Sequence, residues 1–170
     1  MKALEEMVYI AEIVMQAKIA KRAAERLQKT TDQFDELEVW GAIQSILIAA
    51  GNVSRILWPS RKSSAARGEM LRMSLGVDNH HLLSHRKFRN HFEHYDERIE
   101  DWFKENRSAV YMDPSIDPVR SIWGNNPANR HRAYDPLTQM LTFRGESVDL
   151  AALLNALEEI RQKCRHFALP

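Results

Sequence analysis

Apolar positions at helical spacing dominate the first third of the chain. Leu4, Val8, Ala11, Met15 and Ile19 form one stripe with no glycine or proline between them, which predicts a helix over residues 2–29. Thr30, Thr31 and Asp32 break it and offer a cap for a second helix, about Gln33 to Leu57, which Pro59 stops. The middle of that helix, Ala42 to Ala50, is apolar almost all round, as a central helix is. Gly41 and Gly51 either let neighbours approach closely or simply weaken it. After a polar linker, a short helix runs from Arg67 to Leu75 and ends at Gly76. Asp78 and Asn79 then open a long helix over 81–106, with Phe88, Phe92, Tyr95, Ile99, Trp102 and Phe103 along one apolar stripe.

Residues 108–147 change character. Pro114, Pro118, Pro127, Pro136 and Gly124-Asn125-Asn126 predict an insertion, pinned to the surface by Tyr111, Ile116 and Trp123. Asp135-Pro136 and the weak alternation from Gln139 to Phe143, ahead of Arg144-Gly145, predict a short β-hairpin. A last helix follows over 148–167, capped by Ser147. Its stripe is Leu150, Leu153, Leu157, Ile160, Cys164 and Phe167, broadened by Leu154. The expected fold is all-α, a four- to five-helix bundle with a proline-rich insertion, in a single domain over 1–170.

The chain of 170 residues suffices for one domain with a real core. A net charge of +1 makes any nucleic-acid contact local rather than global. The one cysteine, Cys164, excludes an internal disulfide and a cysteine-based zinc site. The start, Lys2-Ala3-Leu4-Glu5-Glu6, leads into no long apolar run, so neither a signal peptide nor a membrane span is expected and the location is read as cytoplasmic.

Candidate chemistry centres on Arg89-Asn90-His91-Phe92-Glu93-His94, a fixed cation and a titratable imidazole on one expected rod. The Arg-to-His spacing of five recurs in Arg86/His91, Arg89/His94 and Arg161/His166, so spacing alone does not choose. Rotation of about 100° per residue from Phe88 does help. It puts His91 beside the apolar stripe, and Asn90 and His94 opposite it, so His94 faces water or a partner.

With its surroundings, this segment resembles the signature of the HEPN family of small α-helical domains. The order of helices resembles that family too, as do the stretch Ile46 to Pro59 and the run Arg89 to Trp102. The resemblance implies a metal-independent endoribonuclease, often a toxin with a cognate antitoxin, whose active site forms at a homodimer interface. Carried onto this sequence, His94 moves the proton, Arg89 holds the phosphate, and Asn90 orients the substrate or His94. RNA would then be cut through its own 2′-hydroxyl, giving a 2′,3′-cyclic phosphate. Arg86, Lys87 and Arg55 are the expected substrate-binding cations, with Arg61, Lys62, Arg67 and Arg72 as further basic groups against the local acids Glu93, Asp96, Glu97, Glu100 and Asp101. Leu82 and Leu83 are candidates for the dimer interface. In some members a tyrosine two positions past the histidine is modified by a partner nucleotidyltransferase; here Asp96 stands there.

No cofactor or metal is expected. His81 and His85 do share the i, i+4 spacing of helical zinc sites, with His80, His91, His94, Asp96 and Glu97 close by. No HExxH run or paired Glu-x-x-His set accompanies them. The alternative reading is a HEPN-like module that binds a nucleotide, RNA or protein partner without cutting.

Overall fold

The structure, a computed structural model, describes residues 3–30, 35–85, 94–105, 110–116 and 129–167. It is mainly helical with one small sheet, and it divides into two units. The first comprises Met1–Arg86 with Ala152–Pro170, the second Lys87–Ala151.

In the first unit, α1 (Ala3–Thr30) and α2 (Glu36–Leu57) pair. A five-residue connection and the Asn52-to-Gln16 side-chain hydrogen bond of 3.1 Å make the pair antiparallel. The buried face of α1 is Ile10, Ile13, Ala17, Ala20, Ala23 and Leu27. The stripe expected from the sequence instead lies outside, with Leu4, Val8, Met15 and Ile19 exposed at 73, 59, 55 and 41%. Alanines on the buried face let helix backbones pack closely, so the smaller residues go inward although the larger ones are more apolar.

Asp35 caps α2 by accepting from the Glu38 amide at 3.1 Å. Thr30, expected in the break, is the last residue of α1 and turns its hydroxyl back to the Arg26 carbonyl. At Gly41 a Cβ would meet nothing within 4 Å, so no close approach occurs there. The short helix α3 (Ala65–Leu75) ends as predicted, on Gly76 at φ +60°. The Val77 amide reaches back to the Arg72 carbonyl at 2.9 Å and the Gly76 amide to Met73 at 3.2 Å, which closes the final turn.

The long helix predicted from His81 does not start there. Asp78 accepts from the His80 amide at 2.6 Å, and the His81 Nδ1 accepts from the Leu83 amide at 3.2 Å. These side-chain caps fold Leu82–Ser84 into a single 3-10 turn, after which His85 is extended. Leu83, nominated for an interface, is fully buried, and its carbonyl accepts from the buried Ser54 hydroxyl at 2.7 Å. Leu82 is exposed.

His81 stacks on Trp58 with ring centroids 5.8 Å apart, and its Nε2 lies 3.6 Å from a Glu159 carboxylate oxygen. Burial lowers its pKa below the ordinary 6.5; Glu159 and Asp78 oppose that shift and Lys163 adds to it. The unfolded chain therefore binds this proton more readily than the folded one, so the contribution to stability is present above about pH 6.5 and is lost as acid pushes below it. Urea unfolding from about pH 8 down to about pH 5 is expected to show this loss, and His81→Gln to flatten the slope. An unchanged slope in that variant would assign the acid sensitivity elsewhere.

In the second unit, α4 (Tyr95–Glu105) accompanies a four-stranded sheet of β1 (Ser115–Ile116), β2 (Arg132–Asp135), β3 (Met140–Phe143) and β4 (Glu146–Asp149), in that spatial order. The predicted hairpin is thus one part of a larger sheet. β1 runs parallel to β2, and the other neighbours are antiparallel. Asp135 shapes the first turn, accepting from the Leu137 amide at 2.9 Å and the Thr138 hydroxyl at 2.8 Å. Arg144 and Gly145 make the second, with φ of +46° and +82° as a two-residue I′ turn needs. Arg144 also reaches Glu105 at 2.5 Å.

Trp102 is buried on α4 and meets Tyr111 edge-on at 4.7 Å, so Tyr111 is a pin as expected. Phe103 is exposed and stacks on Tyr111 at 5.4 Å. Phe88, Phe92 and Trp123 lie outside the described residues. The last helix, α5, begins at Leu150 rather than Val148, because 146–149 pair with β3, and it extends to Lys163. Ser147 is therefore a strand residue and not a cap. Leu150, Leu153, Leu157, Ile160 and Cys164 are buried as predicted, whereas Phe167 is exposed. No described helix is long and apolar enough to cross a membrane.

Candidate functional site

His94 stands at the entry to α4, where its carbonyl accepts from the Arg98 amide at 3.1 Å. Its side chain is 52% exposed. The Nδ1 lies 3.4 Å from an Oε1 of Glu97, one turn on. A carboxylate in that place favours the tautomer with the proton on Nδ1, which leaves Nε2 as the basic nitrogen. Such an imidazole can take a proton from a substrate hydroxyl or, once protonated, give one to a leaving oxygen.

Arg86, Lys87, Arg89 and Asn90 lie outside the described residues, as does His91. Arg55 is an exposed residue of α2 in the first unit. Two of the further cations have structural employment. Arg67 Nη2 donates to the Arg55 carbonyl at 3.2 Å, and Arg72 Nη1 donates to the Leu57 carbonyl. Both carbonyls belong to the last turn of α2, which has no helical amides left to satisfy them. Arg72 also donates from Nε to Asn79 at 2.9 Å and lies over Trp58, and Arg67 lies over the Tyr9 ring at 4.6 Å. Arg61 and Lys62 remain exposed.

Arg98 was not nominated by the sequence reading. It falls one helical turn beyond His94, on the same face of α4, half-buried and with its Nε unpaired. The i, i+4 spacing from His94 was the available signal. Of the acids of α4, Asp96, Glu97 and Glu100 are exposed and Asp101 is half-buried; Glu100 is 3.5 Å from Lys104.

The histidines at 81 and 85 do not form the helical pair that a zinc site would use. His81 is occupied by the Leu83 amide and Glu159, and His85 is extended. Among the described residues no group of three or more His, Cys, Asp or Glu gathers around a common point.

A second polar cluster lies inside the second unit. The Asp113 carboxylate accepts from Arg132 through Nε at 2.8 Å and Nη2 at 3.1 Å, from the Tyr95 hydroxyl, and from the Tyr111 hydroxyl at 3.4 Å. Arg132 also covers the Tyr95 ring at 4.4 Å. Burial pushes both phenols up, with Asp113 adding to each shift. This cluster ties α4 to the start of β1 and to β2; neutral, strongly held phenols make it a structural clasp rather than proton-transfer machinery. Compared with known proteins, the chain matches no family model, no curated protein and no solved structure.

Proposed function

We propose that the chain is a HEPN-like helical bundle acting in the cytoplasm as a metal-independent endoribonuclease of toxin or defence type, built as a homodimer. The observation that supports this most is His94, solvent-facing at the start of α4 with Glu97 beside its Nδ1. In the proposed reaction one His94 takes the proton of a ribose 2′-hydroxyl, whose oxygen attacks the adjacent phosphorus. The bond to the 5′-oxygen breaks, and His94 of the partner subunit protonates that oxygen. The products are a 2′,3′-cyclic phosphate and a 5′-hydroxyl. Arg89 holds the phosphate through its planar fork, Asn90 orients the substrate, and Lys87 extends the grip along the RNA. A cognate antitoxin would act by covering this surface.

Purified protein incubated with RNA in EDTA is expected to yield cyclic-phosphate ends. His94→Ala should lower the rate by about 10²- to 10⁴-fold, the usual worth of a positioned acid or base. Folding should survive, because the side chain lies outside the core. Glu97→Gln should cost less, because it acts through His94. RNA binding without cleavage by the wild type would replace this reading with the non-catalytic binding module, and equal cleavage by His94→Ala would remove His94 from the mechanism.

A further inference from the structure

A groove of about 320 Å³ runs along α1 within the first unit. Met7, Ile10, Ala11, Val14, Met15 and Lys18 line it from α1, at the spacing of one helix face. Phe167 lines it from Cys164–Phe167, the 3-10 turn that follows α5. Ile10 is buried, whereas Met7, Ala11, Met15 and Phe167 are exposed, so the trough is apolar and open to water. The one charged side chain in its lining is Lys18, exposed and at one end, eleven residues from Met7. Charge near that end has one sign. The acids in the first half of α1, Glu5, Glu6 and Glu12, stand about 120° or more around the helix from Lys18. Lys21 and Arg22 follow Lys18 before the next acid, Glu25. Contiguous apolar surface in a concave trough of this size marks a contact for apolar matter.

We propose that this groove binds a medium-chain fatty acid, laid along α1 with its carboxylate at Lys18 and its methyl end near Met7. Three features select that occupant. The lining side chains offer no polar group besides the Lys18 ammonium, so a sugar, a nucleotide or a peptide backbone pressed into the trough would give up water without replacing it. The charge sits at one end, which complements an amphiphile with a single anionic head. Length sets the chain. Eleven residues of helix span about 16 Å. An extended hydrocarbon with bonds of about 1.5 Å advances about 1.25 Å per carbon, so about twelve carbons reach from the lysine to Met7. Met7 and Met15 supply unbranched, adaptable walls for an alkyl chain. The proposal rests on the first unit alone and does not depend on the nuclease reading.

Calorimetric titration of the full chain with sodium octanoate, decanoate, dodecanoate and tetradecanoate, each below its micelle-forming concentration, tests it. One molecule per chain is expected to bind, with affinity rising about two- to fourfold per added carbon, the range for half to full burial of a methylene. The rise should level off near twelve carbons, where the chain outruns the groove. Lys18→Gln should weaken dodecanoate about two- to fivefold, the worth of an exposed ion pair, and leave the weaker binding of dodecanol unchanged. Ala11→Trp puts a large side chain into the groove from an exposed position, so it should abolish binding of both with an unchanged helical spectrum. No saturable binding of any chain length overturns the proposal, as does binding to lipid vesicles alone. An affinity that climbs through tetradecanoate without levelling, or that survives Ala11→Trp, reports adsorption elsewhere on the surface and overturns it equally. Dodecanol bound as tightly as dodecanoate removes Lys18 from the contact, and the fatty acid with it.

Discussion

Replacing Asp113 by alanine is expected to destabilise the second unit by about 3–5 kcal/mol, the usual cost of removing one partner from a buried ion pair. The Asp113 side chain is only 4% exposed and serves Arg132, Tyr95 and Tyr111 together. Without it, a guanidinium 20% exposed loses its Asp113 carboxylate, and two phenols lose an acceptor. Asp113→Asn keeps the shape and one acceptor oxygen, so it should cost less. Hydrogen exchange at the amides joining β2 and β3 reads the effect locally, while α1 and α2 serve as an internal reference. Protection unchanged at those strands would mean the clasp contributes little. The same cluster sets an alkaline limit. Because the Tyr95 pKa is raised in the folded state, its contribution is fully present below about pH 10 and fades as pH rises further, where the unfolded chain gives up the proton first.

Gly68→Ala is the second large effect, and its sign is opposite to that of helix propensity. An alanine in a helix normally gains up to about 1 kcal/mol over glycine. Here the added Cβ would sit 2.5 Å from the Pro59 Cδ and 2.7 Å from the Leu57 carbonyl oxygen. Neither can move cheaply: the first belongs to a closed ring, and the second is held by Arg72. Overpacking of this kind costs about 1–3 kcal/mol and outweighs the propensity gain. Gly41→Ala, with open space around it, is the matched control and should gain rather than lose. A urea midpoint for Gly68→Ala at or above wild type would show that α3 can shift away from the corner.

Local signals were legible where a backbone rule decides the outcome. Pro59 and Gly76 stop helices because one lacks an amide and the other tolerates positive φ. The stripe on α5 was legible because its large aliphatic residues have one apolar face. On α1 two apolar faces compete, and hydropathy favours Leu4, Val8 and Met15 while packing favours the alanines. The strand 146–149 is not legible, and Val148 and Asp149 read as the start of the following helix, because four residues carry too little periodicity against a strong helical pattern. The His81–Ser84 turn was missed because its caps are side-chain hydrogen bonds that spacing does not reveal. At the site, the rotation argument for His94 starts from Phe88, which lies outside the described residues. The work of Arg67 and Arg72 is not legible in the sequence, since it depends on which carbonyls a neighbouring helix leaves open.

The parallel pairing of β1 with β2 sets an order of events. The β2–β3 and β3–β4 hairpins close over two to four residues, so they can form within microseconds. β1 pairs with residues 18 positions further on, Ser115 with Ala133, and brings Asp113 with it. Distant closure comes late, so the clasp forms after the hairpins, and losing it should quicken opening while leaving the rate of hairpin assembly almost untouched.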